Sequence, residues 1–153
     1  MYNEVSLGGT MKKGFTLIEL LIVMVVLGIL VTIAMPKYRA SLERGRAMEG
    51  ITNLRAASDA VNARYVMDGN SYTTPDLSFA SLAKNKSFSK PSIDGFSHGF
   101  VLIGVTREGG EYSLSAYNTD GELKYITCTG DTELCQAIGA ELVDGSYMFD
   151  FRK

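Results

Sequence analysis

Between Phe15 and Met35 the chain runs FTLIELLIVMVVLGILVTIAM, 21 residues with one ionisable side chain, Glu19. As a helix this run is about 31 Å long at 1.5 Å per residue, enough to cross the hydrocarbon core of a bilayer. A secretory signal has a shorter apolar stretch and small residues at its cut site. Here VTIAMP offers only Thr32 and Ala34 at that spacing, so a spanning helix is expected over 15–36. The 153-residue chain then has room for one small domain after the apolar run. A carboxylate inside such a helix is unfavourable by a few kcal/mol, so Glu19 needs a reason to be there.

Charge counting alone leaves the direction of the helix open. Lys12 and Lys13 precede the run, whereas Lys37, Arg39, Arg44 and Arg46 follow it, and the positive-inside rule would put the C-terminal side in the cytoplasm. The cysteines point the other way. Cys128 and Cys135, with the single His98, are too few for a four-ligand zinc site. In a body outside the cytoplasm the two cysteines should form a disulfide. Its loop is short, and closing it is worth roughly 2–3 kcal/mol.

The residues that break the tie lie at the start of the run. KKGFTLIELLIVMVVLGIL, from Lys12, followed by Pro36 and Tyr38, resembles the N-terminus of the type IV pilins and of the related pseudopilins of type II secretion systems. The likeness covers Lys12 to about Tyr38 and fixes several residue types at set spacings. It implies that a prepilin peptidase of the inner membrane cuts on the cytoplasmic side between Gly14 and Phe15, then N-methylates Phe15. It also implies a cytoplasmic N-terminus with the remainder translocated, which overrides the charge count. Glycine suits a cut position because a backbone without a side chain can sit close to a protease's catalytic groups. MYNEVSLGGT, residues 1–10, is foreign to a short leader of residues 1–14. Translation is therefore expected to start at Met11, with a longer leader as the alternative.

Beyond the apolar run the helical period continues. Ile51, Leu54, Ser58, Val61 and Tyr65 recur at steps of three and four. Arg55, Asn62 and Arg64 are expected largely off that stripe. One helix should run from Phe15 to about Met67 and stop at Gly69 and Asn70. Pro36 lacks a donor and should kink it, and Gly28 should weaken it; the resemblance implies that this part loosens in a filament. Residues 73–91 read as an irregular connection. GFVLIGVT, EYSLSAY, ELKYITC and a closing SYMFDF read as strands, with Leu123, Tyr125 and Thr127 expected on one face. Turns are expected at Glu108–Gly110 and Asn118–Gly121. The fold class is α+β, a long membrane-spanning helix packed on a small antiparallel sheet, within a pilin-like body over 37–153.

No catalytic constellation is present. Asp120 and Glu122 flank a glycine in an expected turn, and His98 has no ligand partner at useful spacing. No cofactor is expected. Calcium, which the resemblance brings in through the major pseudopilins, could be held by Asp131, Glu133 and Asp144, although their spacing matches no EF-hand loop. From Lys37 to Arg64 six basic residues face three acidic ones, whereas from Glu108 to Asp150 nine acidic residues accompany only Lys124. Such a basic arm and acidic body would suit attraction between neighbouring copies, or both are merely solvated faces. The acidic body opposes DNA binding.

The resemblance therefore implies a pilus subunit that polymerises through its apolar helix for adhesion or motility, or a pseudopilin of a periplasmic export machine. Implied partners are further copies, the peptidase, minor pilins, the inner-membrane assembly platform and the membrane itself. The chain would sit in the inner membrane before assembly and in an extracellular pilus, or a periplasmic pseudopilus, afterwards. Glu19 then has three readings: a hydrated interfacial carboxylate, part of what the peptidase recognises, or partner to the positive N-terminus of Phe15 in an adjacent copy.

Overall fold

The computed structural model describes residues 14–73, 75–78 and 86–150. The chain divides into two units, one ending at Lys37 and the other beginning at Tyr38. A single helix, α1 (Leu17–Met67), belongs to both.

In the first unit α1 is bare. Its large apolar side chains from Leu17 to Met35 are all exposed, and by length and composition the segment can cross a membrane. The helix is continuous through Gly28 and Pro36, although proline withholds the amide that would reach the Thr32 carbonyl. The Thr32 hydroxyl donates to the Ile29 carbonyl at 2.7 Å.

In the second unit α1 gains a buried stripe that includes Ala47, Ile51, Leu54, Ala57, Ser58 and Val61. The stripe packs into a core with Val101, Ile103, Val105, Leu114, Ala116 and Ile126. Those residues come from an antiparallel sheet of β1 (Ser92–Ser97), β2 (Phe100–Thr106), β3 (Tyr112–Thr119), β4 (Glu122–Gly130), β5 (Glu141–Val143) and β6 (Ser146–Asp150), in the order β1-β2-β3-β4-β6-β5. A short helix, α2 (Thr132–Ala137), sits between β4 and β5. The sheet closes through tight turns. Asp120 and Gly121 both have positive φ between the paired Thr119 and Glu122, as do Asp144 and Gly145 between Val143 and Ser146, the two-residue geometry that suits strand twist. Helix α1 stops where Gly69 and Asn70 turn left-handed.

Several expectations need correction. Leu123, Tyr125 and Thr127 do not share a face. A register shift leaves Tyr117 opposite Tyr125 but Asn118 opposite Leu123, so Leu123 joins the core while Tyr125 stacks on Tyr117 at 5.0 Å on the other side. Asn62 is not off the helix stripe but buried. It donates to Asn118 at 3.1 Å and accepts from the Tyr72 hydroxyl at 2.7 Å. Tyr72 in turn accepts from the Gly121 amide at 3.1 Å, which joins the C-terminal end of α1 to the β3–β4 turn. Strands β1 and β5 and helix α2 were not anticipated. The expected strand at 146–151 is present to Asp150, and Phe151 lies outside the described residues. The connection over 73–91 is irregular where described, but Phe88 within it is buried against Gly50 and Tyr112.

The other polar anchor is Glu43, the one charged residue that is buried among the described residues. It forms an ion pair with Arg107, accepts from the Tyr112 hydroxyl at 3.2 Å and pairs with Arg46 at 3.0 Å. Burial pushes the carboxyl up, but the Arg107 and Arg46 hydrogen bonds, the Arg107 charge and Tyr112 outweigh it, holding Glu43 below its usual range. Burial and the Glu43 charge push Tyr112 up. Because the folded value of Glu43 lies below the unfolded one, its stabilisation is complete above about pH 4.5 and is lost as pH falls through the folded value. Glu43→Ala leaves the partly buried Arg107 guanidinium with only the Ser87 and Glu108 carbonyls as acceptors among the described residues and should cost about 2–3 kcal/mol. Thermal melts of the full chain in detergent from pH 7 to pH 3 should show the loss at neutral pH and a flatter acid limb than wild type. Equal melting at pH 7 would mean that the pair adds nothing.

Cys128 on β4 and Cys135 on α2 form a disulfide, with 5.8 Å between Cα atoms, and both are buried. Asp131 caps α2 by accepting the Glu133 and Leu134 amides. A helix this short has little stability of its own, so cap and crosslink together hold it on the sheet. Replacing both cysteines with serine should cost about 2.5 kcal/mol, and amide exchange should accelerate first over 135–140. Uniform acceleration across β2–β4 instead would contradict this local role.

Candidate assembly site

The residues from Gly14 to Thr16 lie just outside α1 and are exposed. A Cβ on Gly14 would meet nothing within 4 Å. Packing among the described residues therefore does not require glycine there.

Thr16 and Glu19 make a reciprocal cap on α1. The Glu19 amide donates to the Thr16 hydroxyl oxygen at 3.3 Å, and the Thr16 amide donates to Glu19 Oε2 at 2.8 Å. The Thr16 hydroxyl also donates to Oε2 at 2.8 Å. The first amides of a helix have no intrahelical acceptor, and in lipid no water can replace one. Thr-x-x-Glu satisfies two of them at once and places negative charge at the positive end of the helix dipole. This is a fourth role for Glu19, and one the sequence carried openly as a Thr-x-x-Glu spacing before an apolar run. Among the described residues all contacts to this carboxylate fall on Oε2, which leaves Oε1 able to accept more.

Pro36 lies within α1 near the end of the first unit. The structure does not bring the candidate cation ligands together. Asp131 is engaged as the α2 cap, Glu133 lies in the first turn of α2, and Asp144 forms the β5–β6 turn. Among the described residues no three Asp, Glu, His or Cys side chains gather in a way that could hold an ion. His98 is exposed in the β1–β2 turn, and Asp120 and Glu122 belong to the β3–β4 turn.

A family model described as the prokaryotic N-terminal methylation motif matches residues 9–35, which include Gly14, Phe15, Thr16 and Glu19. A type IV major pilin protein PilE of Neisseria gonorrhoeae is 31% identical over 127 residues, covering 76% of this chain and 74% of the relative. A PilE1 major pilin of the same organism is 30% identical over 152 residues, covering 91% and 92%. The type II secretion system core protein G of Escherichia coli K12 is 25% identical over 125 residues, covering 73% and 85%. No solved structure gives a significant match. With an exposed apolar segment in α1, an α+β body, and a major pilin at 30% identity matched over nine-tenths of both chains, the chain belongs to the type IV pilin family.

Proposed function

We propose that this protein is the structural subunit of a type IV pilus, polymerised through the first part of α1 into a surface filament used for adhesion or motility. The observation that carries the reading is the apolar segment from Leu17 to Met35, exposed along its whole length on a chain that also bears a folded body. Lipid can cover that surface before assembly and the same segments of other copies can cover it afterwards. Contacts that repeat head-to-tail and do not close generate a filament. The motif match supports processing by a prepilin peptidase between Gly14 and Phe15, with methylation of Phe15. The N-terminus stays cytoplasmic and the body is translocated. The disulfide fits an oxidising compartment. Minor pilins and the inner-membrane platform complete the set of partners. The pseudopilin of a secretion system is the second reading, supported by the core protein G relative.

Cleavage changes the chemistry around Glu19. Before it, the Phe15 nitrogen is an amide; after it, the nitrogen is a cationic amine. Glu19 Oε2 is taken by Thr16 in the same chain, and Oε1 can accept the Phe15 amine of an adjacent copy. Docking then removes two unfavourable charges from an apolar environment and sets the axial stagger of the two helices.

Two measurements test these readings. Deletion of the gene should abolish surface fibres, and sheared fibres from the parent strain should contain this chain as the main component. Intact fibres with failed protein export in the deletion strain would transfer the assignment to the pseudopilus. Glu19→Val should leave cleavage after Gly14 largely intact, by mass of the mature chain, yet cut filament yield at least tenfold. A normal yield would remove the charge-pairing role.

A further inference from the structure

We infer that neighbouring copies of this chain bind each other through a basic ridge on α1 and an acidic corner built by the β2–β3 turn and the start of α2. This rests on the filament reading and specifies how the bodies in the filament recognise one another.

The ridge is formed by Arg44 and Arg55. Eleven residues is close to three helical turns, so they share a side of α1 about 16 Å apart. Both are exposed, and so is Met48, one turn beyond Arg44. Arg44 forms no ion pair among the described residues. The corner is formed by Glu108, Glu111, Asp131 and Glu133. Strand pairing of Tyr112 with Gly130 brings the segments together, and the Asp131 amide donates to the Glu111 carbonyl at 3.0 Å. The Asp131 carboxylate accepts the Glu133 amide at 2.9 Å. All four carboxylates are exposed, and none forms an ion pair among the described residues. The cation nearest in sequence, Arg107, pairs with Glu43, and its guanidinium also donates to the Glu108 carbonyl and interacts with the Glu111 charge.

Exposed carboxylates thus lie on adjoining segments at one corner, while Arg44, exposed on the same body, forms no ion pair among the described residues. The formal net charge of the whole chain is only −2, so this is segregation of charge more than excess. Segregated, complementary patches steer encounter and fix register. Because the two patches are different surfaces of one chain, each copy can receive one neighbour and offer itself to the next without closing the assembly. Screening over about 8 Å at physiological salt means that the contact acts only at close approach and weakens as salt rises.

The test is a charge swap in the full-length chain. Arg44→Glu with Arg55→Glu should lower filament yield at least tenfold at low salt, and Glu111→Lys with Glu133→Lys should do the same. All four changes together should restore most of the yield, with thiol labelling used to check that Cys128–Cys135 stays closed. Wild-type yield from the basic-face variant, or no recovery in the combination with the disulfide closed, overturns the inference. A second measurement needs no filament. Carbodiimide treatment of Arg44→Lys in native membranes should give a dimer in which position 44 is joined to Glu108, Glu111, Asp131 or Glu133. A dimer joined only elsewhere, or no dimer, also overturns it. Crosslinking through these positions in a strain without fibres would sink the filament reading and leave this contact standing.

Discussion

The apolar surface of the first part of α1 has no cover among the described residues, and the other features of the protein are arranged around that fact. From Leu17 to Met35 the large side chains are all exposed, a surface that water cannot tolerate and that no fold of 153 residues could hide without giving up its core. The segment must always be in lipid or against other protein. A chain built this way is a component before it is anything else.

One helix serves two surroundings because its side-chain pattern changes along its length. The first part is apolar all round, as a segment surrounded by lipid or by like helices should be. From Glu43 onward the apolar residues narrow to one stripe, and small residues such as Ala47, Gly50, Ala57 and Ser58 let the sheet and Phe88 approach closely. Two polar clusters hold the stripe at its ends: Glu43 with Arg107 and Tyr112, and Asn62 with Asn118 and Tyr72. Buried polar groups demand matching partners, so they specify where along the sheet the helix lies more sharply than aliphatic contacts do.

That same logic explains what could be read in advance. The long helix, its end at Gly69 and Asn70, and the hairpins around Asp120 and Gly121 follow local rules of period and turn chemistry, and they were legible. Strand β1 was not. SIDGFS does not alternate, it carries a glycine at its irregular pairing, and its burial is poor. Strand β5 is three exposed residues that exist only because β6 pairs with them, and α2 is six residues held by a cap and a crosslink. The burial of Asn62 is also a tertiary fact, since its partners come from Tyr72 and from Asn118, 56 residues away. Phe88 sits in a polar-looking connection and reaches the core only because Gly50 leaves room for its ring.

The Thr16–Glu19 cap is absent from the three readings of Glu19 made from the sequence, although its Thr-x-x-Glu spacing signals it. It shows why a charged residue can stand at the head of an apolar helix. A helix that begins in lipid leaves amides unsatisfied, and each costs free energy that side chains must offset. A carboxylate three residues into the helix removes that cost and is itself stabilised by the amides it accepts. The residue therefore has a use in every copy of the chain, processed or not. An intersubunit role can be added later without a new residue, because the cap engages Oε2 and leaves Oε1 to meet a cation. On this view Glu19 is not a charge that assembly alone rescues from lipid. It is a capping residue first, and in the proposed filament an amine released at Phe15 would turn the same side chain into a contact between copies.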